Sequence, residues 1–336
     1  MGHRRPKSVV DGPSTTFGRL TEMVMTTSRL RTLLAAYPEL AAVLVAAAIG
    51  LSVQRPLAWL AARQGINVLL AVLVFATAVT VEPAALRRVA HAWRSLLAAL
   101  AVGVTVLPAL AWAASRMVPV GPLRDGVLAI GLAPCEIASV ATTAMAGGEA
   151  AVAAGVLIGS TVAAVAVAGP ILVLEAGRAG FSPGGIVVNL ALVVALPLAA
   201  GITLRASVPA TARAERAASR TAVVAVAALI ALIAAEVHLS ASYASVAGAL
   251  AVFLLGSALV GWLLGRRAPR QVAAALLLTT SMRDFAIAAA LATAAFGPPA
   301  AAPLGLYGIL VLIWGTAVAG VLRRRTPDVR ANGDLN

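Results

Sequence analysis

Ten apolar runs of membrane-crossing length, joined by short polar segments, leave this chain few folds to choose from. They fall at roughly 36–54, 64–82, 95–118, 123–146, 149–175, 183–204, 219–238, 244–265, 270–296 and 303–322. A helix needs about 20 mostly apolar residues to cross the hydrocarbon of a bilayer. The expectation is an all-α integral membrane protein of ten transmembrane helices. The joints are too short to hold a soluble domain. Composition agrees: 61% of positions are hydrophobic and 12% charged, against about 45–50% and about 25% in soluble domains. An ordinary soluble enzyme and a disordered chain are both excluded.

The charge is lopsided, with 26 Lys+Arg against 13 Asp+Glu. The cations sit in small clusters between apolar runs rather than on one surface, so no nucleic acid partner is expected; the lipid bilayer is the expected surroundings. With the N-terminus placed in the cytosol, 20 cations fall inside, 5 outside (Arg55, Arg63, Arg116, Arg124 and Arg178), and Arg283 lies within a span. Cytoplasmic loops of membrane proteins carry such an excess. Both termini are therefore expected in the cytosol, with the protein multi-pass in the cell (cytoplasmic) membrane.

Residues 1–35 read as a cytosolic basic tail without the apolar region of a secretory signal, and Met23 and Met25 are alternative starts. Residues 36–322 form the ten-span domain, and 323–336 a cytosolic C-terminal tail. Ten spans divide into five and five (36–175 and 183–322), and an odd-numbered half must insert opposite to its twin. That is the inverted repeat of secondary transporters, whose sites lie near the bilayer midplane on interrupted helices. Oligomeric state is left open, a monomer being sufficient.

Two spans carry charge where it is costly. Span 4 is centred on Pro134-Cys135-Glu136 and span 9 on Arg283-Asp284; each is the fourth span of its half. An ionised side chain at the bilayer centre costs at least about 2.5–3.5 kcal/mol. Pro134 breaks span 4, because proline lacks the helical donor and clashes with the preceding turn. In span 9, Thr279, Thr280 and Ser281 offer hydroxyls to a loosened backbone; Ser139 and Thr142 do so in span 4. Where the two breaks cross, helix N-termini suit an anion. Arg283 and Asp284 either form a structural pair closed by Glu136 or serve a transport site, and the second is the expectation.

Enzymatic signatures are missing: no HExxH, no Gly-x-Ser-x-Gly and no lysine-bearing phosphate loop occurs, so the chain is not read as an enzyme. One cysteine, Cys135, and three distant histidines give no metal cluster. No cofactor is expected.

The segments "GLAPCEIASVATTAMAGGEAAVAAG" (131–155), "TTSMRDFAIAAALATAAFG" (279–297), "LLAVLVFATAVTVEPAALRRV" (69–89) and "ALVVALPLAAGITLR" (191–205) resemble, in order and spacing, the bile acid:sodium symporter family. The resemblance covers nearly all ten spans. It implies a core of spans 3–5 and 8–10, a panel of spans 1–2 and 6–7, broken helices 4 and 9 crossing at the midplane, and transport of organic anions, usually with sodium.

Departures from the family's pattern shape the remaining expectations. Ser139-Val140 stands where sodium-coupled members have Ser-Asn. Ala153 and Leu157 replace hydroxyl residues, and Thr279 and Arg283 replace a glutamate and a glutamine. A fixed guanidinium would repel sodium, so sodium coupling is not expected and protons carried by Glu136 or Asp284 are. Arg283 would hold the anionic group of a small substrate, with Glu136, Asp284, Ser139, Thr142, Thr279, Thr280 and Ser281 around it. The alternative comes from the arsenite-efflux permeases of the same superfamily, which Cys135 and Asp284 resemble in position; a thiolate suits trivalent arsenic.

Overall fold

The computed structural model describes residues 38–80, 92–176, 183–208, 211–235 and 242–324. Both tails, apart from Arg323 and Arg324, together with Arg87, Arg88 and Arg178, lie outside the described residues. The chain divides into units Met1–Ala42 and Val43–Asn336. The first is described only from Pro38, where it is helical. The second holds the rest of the described chain.

The described elements are helical, and helix is found in each of the ten apolar segments. The first gives α1 (Pro38–Ser52) and α2 (Gln54–Ala62), which turn 98° at Val53. The second is α3 (Gly65–Thr80). The third is split at Thr105 into α4 (Trp93–Val104) and α5 (Val106–Ser115). Span 4 becomes α6 (Pro122–Ile130) and α7 (Ala138–Met145), and α8 (Ala150–Ala176) follows. The sixth segment runs through α9 (Pro183–Leu190), a π-helical turn (Ala191–Ala195) and α10 (Leu196–Ser207). The wide turn comes just before Pro197, which removes a helical donor.

Next come α11 (Ala212–Ala235), α12 (Ser242–Gly265), α13 (Arg270–Ser281), α14 (Phe285–Phe296), a short 3₁₀ turn (Pro298–Ala301) and α15 (Ala302–Arg324). Helix α11 begins well before the expected span at 219. The joint expected between residues 204 and 219 is therefore largely helical, and an Arg205–Glu215 ion pair of 2.9 Å links α10 to α11 across it.

By length and apolarity, six described helices can cross a membrane, or seven if the bent α1–α2 pair counts as one. That is fewer than the ten spans expected. The shortfall has a physical cause: breaks cut spans 4 and 9 into pieces of 8–12 residues, and α3 has only 16.

Several helix pairs pack closely. Helix α3 lies against α10 and α11, and α2 against α11; α12 lies against α13 and α5, and α8 against α4, α7 and α13. Small residues let the backbones approach, as membrane helices require. A Cβ at Gly201 of α10 would stand 2.5 Å from that of Ala78 on α3, and one at Gly126 of α6 would reach 2.1 Å from the Ala300 carbonyl.

Candidate functional site

The two helix breaks meet. Pro134 offers no N–H, and its ring would strike the carbonyl four residues back, so α6 ends at Ile130 and the chain runs non-helically to Ile137. Span 9 has no proline. There Met282 and Asp284 are extended, at φ −89°, ψ 105° and φ −73°, ψ 104°. Each break supplies what the other lacks: Glu136 N–H donates to the Met282 carbonyl (2.8 Å) and Asp284 N–H to the Pro134 carbonyl (2.9 Å). Cys135 and Arg283 thus face each other in an isolated antiparallel bridge. An unpaired backbone group in lipid costs several kcal/mol, so this mutual pairing is what makes two broken helices tolerable.

Neighbouring long helices complete the backbone. Cys135 N–H donates to Ser160 Oγ of α8 (3.1 Å), and Arg283 N–H to the Tyr307 hydroxyl of α15 (3.3 Å). Tyr307 in turn donates to the Ser281 carbonyl (3.2 Å), and Phe253 packs edge-on against its buried ring. Both second half-helices lead into a glycine with positive φ, Gly147 (+71°) and Gly297 (+90°), where a side chain would be strained.

The charged residues are buried here, with Arg283 turned away from the two carboxylates. Asp284 caps α14, its Oδ1 accepting from Ala286 N–H (2.9 Å) and Ile287 N–H (2.8 Å). The Glu136 carboxylate lies beside the N–H groups of Ile137, Ala138 and Phe285 and within electrostatic range of Asp284. Arg283, 4% exposed, turns the other way. Its guanidinium donates to the Ala133 carbonyl and lines a narrow cleft between α4 and α8, with Gly103, Leu132, Ser160 and Ala164 among its neighbours. Among the described residues no ion pair joins Arg283 to a carboxylate. Three buried polar atoms at the crossing have no partner: Glu136 Oε2, Asp284 Oδ2 and Arg283 Nε.

One alternative reading and one expectation are revised. The structural ion pair of Arg283 and Asp284 closed by Glu136, the alternative to a transport site, is not formed among the described residues, because neighbouring residues of an extended segment point to opposite sides. The α14 N-terminus is not open to an anion, because the chain's own Asp284 occupies it.

The expected hydroxyls are largely committed as donors. Thr142 donates to Ala138, Thr279 to Ala275 and Ser281 to Leu277, each back along its own helix, rather than to the freed backbone of the break. Ser281 Oγ also accepts from Trp314 (3.0 Å). Ser139 Oγ lies 3.8 Å from the Cys135 sulfur, and Thr280 packs beneath Gly261 of α12. Sequence reasoning missed Ser160 and Tyr307. The available signal was a hydroxyl residue in the apolar span that follows each break.

A second cleft lies between α3 with the start of α10 on one side and α8 with the two breaks on the other. Val74, Thr77 and Ala78 of α3 with Val194 and Leu198 form one wall; Ile137, Leu157, Ile158, Thr161 and Ile287 form the other. The Thr77 hydroxyl is buried there without a partner.

Described elements that are all helical, with several membrane-length apolar helices and two interrupted ones sharing buried charge, define a multi-pass membrane protein. The model of the Sodium Bile acid symporter family matches residues 67–246, more than half the chain, and the protein belongs to that family. It is therefore a transporter. The match includes the break at Pro134 and stops short of the one at Arg283. No curated protein matches the sequence.

Proposed function

We propose that the protein is a secondary active transporter of a small organic anion, working by alternating access and coupled to protons rather than sodium. The observation that carries the reading is the placement of charge at the crossing. A guanidinium sits where a coupling cation would be useful and binds the break's own carbonyl at Ala133. Two carboxylates nearby keep oxygens without partners. Two acids and one base leave the buried cluster one positive charge short of neutral, and a proton supplies it cheaply where burying net charge is expensive.

Arg283 supplies the charge that draws the carboxylate or sulfonate of the substrate to the crossing. Glu136 and Asp284 hold the coupling proton. Ser139, Thr142 and Thr279 contribute oxygens that can still accept a hydrogen bond. The cleft lined by Thr77, Ile137 and Ile287 reaches the acidic side of the crossing and the α4–α8 cleft reaches Arg283; the two are the routes of approach from either side. The packing of α3 against both α10 and α11, with α2 on α11, is compatible with a panel of those helices moving against a core. The matched bonding of Cys135 and Arg283 supports two inverted five-helix repeats (36–175 and 183–322), and hence ten crossings with both termini in the cytosol.

The test is thermal unfolding of the purified protein in sodium and potassium buffers of equal ionic strength, with a panel of organic anions and with arsenite. A ligand at about 100 times its Kd adds roughly 2.7 kcal/mol. Stabilisation by an organic anion in either buffer supports the reading. Stabilisation by arsenite alone, lost in Cys135→Ser, overturns it in favour of an arsenite permease.

A further inference from the structure

Four of the five tryptophans carry an arginine over the ring. The guanidinium carbon lies 4.3 Å from the ring centroid for Arg63 on Trp59, 5.4 Å for Arg94 on Trp93, 5.3 Å for Arg116 on Trp112 and 5.6 Å for Arg266 on Trp262. All four rings are exposed, and all four pairs stand at helix ends. Such pairing holds a guanidinium beside an apolar surface while its N–H groups stay free to donate.

Position gives the pairs a common meaning. Trp93 and Trp112 stand at opposite ends of the α4–α5 segment, about 19 residues apart, or about 28 Å at ~1.5 Å per residue. The hydrocarbon core of a bilayer is about 30 Å thick. The two rings therefore sit at the two interfaces, where tryptophan is enriched.

Two pairs occur together at one end. Ala92 just before α4 and Leu96 within it pack against the same buried cluster, around Val272 and Leu276, as Leu264 of α12 and Ala268 just beyond it. Helix α4 also packs directly against α12, so the start of α4, bearing Trp93–Arg94, and the end of α12, bearing Trp262–Arg266, border one cluster. Exposed Leu255 and Leu259 lead along α12 to Trp262, and exposed Leu97 leads along α4 to Trp93. Apolar stripes run up to a pair of guanidiniums at the interface, on the side to which the arginine distribution assigns the cytosol.

We infer that this place, between the start of α4 and the end of α12, binds the headgroup of an anionic phospholipid. Arg94 and Arg266 donate to its phosphate, the two tryptophan rings flank the glycerol region, and the acyl chains lie along Leu97 and along Leu255 and Leu259. Charge selects the lipid, since two guanidiniums at the interface favour a net negative headgroup over a zwitterionic one.

Native mass spectrometry of the full chain tests this, with phosphatidylglycerol, phosphatidylcholine of the same acyl chains, and inorganic phosphate as probes. The wild type should retain phosphatidylglycerol several-fold more than phosphatidylcholine and should not retain inorganic phosphate. Arg94→Gln with Arg266→Gln should bring phosphatidylglycerol down to the phosphatidylcholine level, while Arg94→Lys with Arg266→Lys should keep most of the preference. The inference is overturned by a wild type without preference, by a glutamine variant that keeps it, or by a lysine variant that loses it as fully as glutamine. Retention of inorganic phosphate at the same arginines overturns it as a lipid site. Because the arginines are exposed, melting of each variant in phosphatidylcholine micelles should match the wild type.

Discussion

Cys135 and Arg283 stand opposite one another in a single antiparallel bridge, and each sends its N–H to a hydroxyl on the next long helix, Ser160 at 3.1 Å and Tyr307 at 3.3 Å. Glu136 and Asp284, one residue further on, each donate to the carbonyl of the residue before the opposite bridge partner, Met282 and Pro134. Swapping the two breaks therefore reproduces the same set of bonds. A local two-fold of this kind is what an inverted repeat demands, even where the side chains differ as much as a thiol and a guanidinium.

If the two hydroxyls do equivalent work, removing either should cost similar stability. Ser160→Ala and Tyr307→Phe each leave a buried N–H unsatisfied, worth about 1–3 kcal/mol. Tyr307→Phe keeps the ring against Phe253, so packing is preserved and the loss reports the hydrogen bonds. Thermal unfolding in detergent should show both variants melting early. A neutral Ser160→Ala beside a damaging Tyr307→Phe would mean that the two breaks are not supported alike.

The acidic residue at the start of α14 separates two roles, capping and charge. Asp284→Asn can still accept from Ala286 and Ile287, whereas Asp284→Ala cannot and should lose about 0.5–2 kcal/mol. The asparagine variant should fold nearly as well as wild type yet lose proton coupling, since its side chain no longer ionises. Melting separates the two substitutions; uptake driven by an imposed pH gradient tests the second.

Much of this centre is legible in the sequence. Pro134 marks one break, and Glu136 and Arg283-Asp284 reveal where two apolar spans keep costly charge at matching depth. Direction is what a sequence of this kind hides. Helical neighbours diverge by about 100°, but the local backbone at Arg283 and Asp284 is extended, which sends their side chains to opposite sides. That conformation depends on pairing with Pro134 and Glu136, far away in sequence. Tyr307 and Ser160 were missed for a similar reason: a hydroxyl residue on an apolar helix has no periodicity to betray it. The number of membrane-length helices fell short because breaks shorten the helices of spans 4 and 9 and α3 has only 16 residues.

Close backbone approach gives a prediction independent of charge. A methyl at Gly126 would stand 2.1 Å from the Ala300 carbonyl, with Pro303 at 3.0 Å, and neither a carbonyl nor a proline ring can swing aside. Gly126→Ala should therefore cost about 1–3 kcal/mol through overpacking, despite the better helix propensity of alanine. The melting temperature should fall; a rise would show that α6 and the turn after α14 can part freely.

The proposed proton coupling departs from the family's name, and Arg283 is the residue through which it is tested. A guanidinium fixed at the crossing repels sodium by the same Coulomb interaction that draws an anion, and in a buried, weakly screened setting that repulsion is strong. Proteoliposomes loaded and diluted so that only the external cation differs should take up substrate at equal rates in sodium and in potassium. An inward proton gradient should accelerate uptake in both. Arg283→Gln removes the charge while keeping a donor for the Ala133 carbonyl, so the protein should still fold, but anion uptake should fall to the level of empty vesicles. Uptake that rises with sodium in the wild type would return the cation site to sodium. Uptake unchanged in Arg283→Gln would move the substrate away from the guanidinium and leave Arg283 a structural bond to the broken helix.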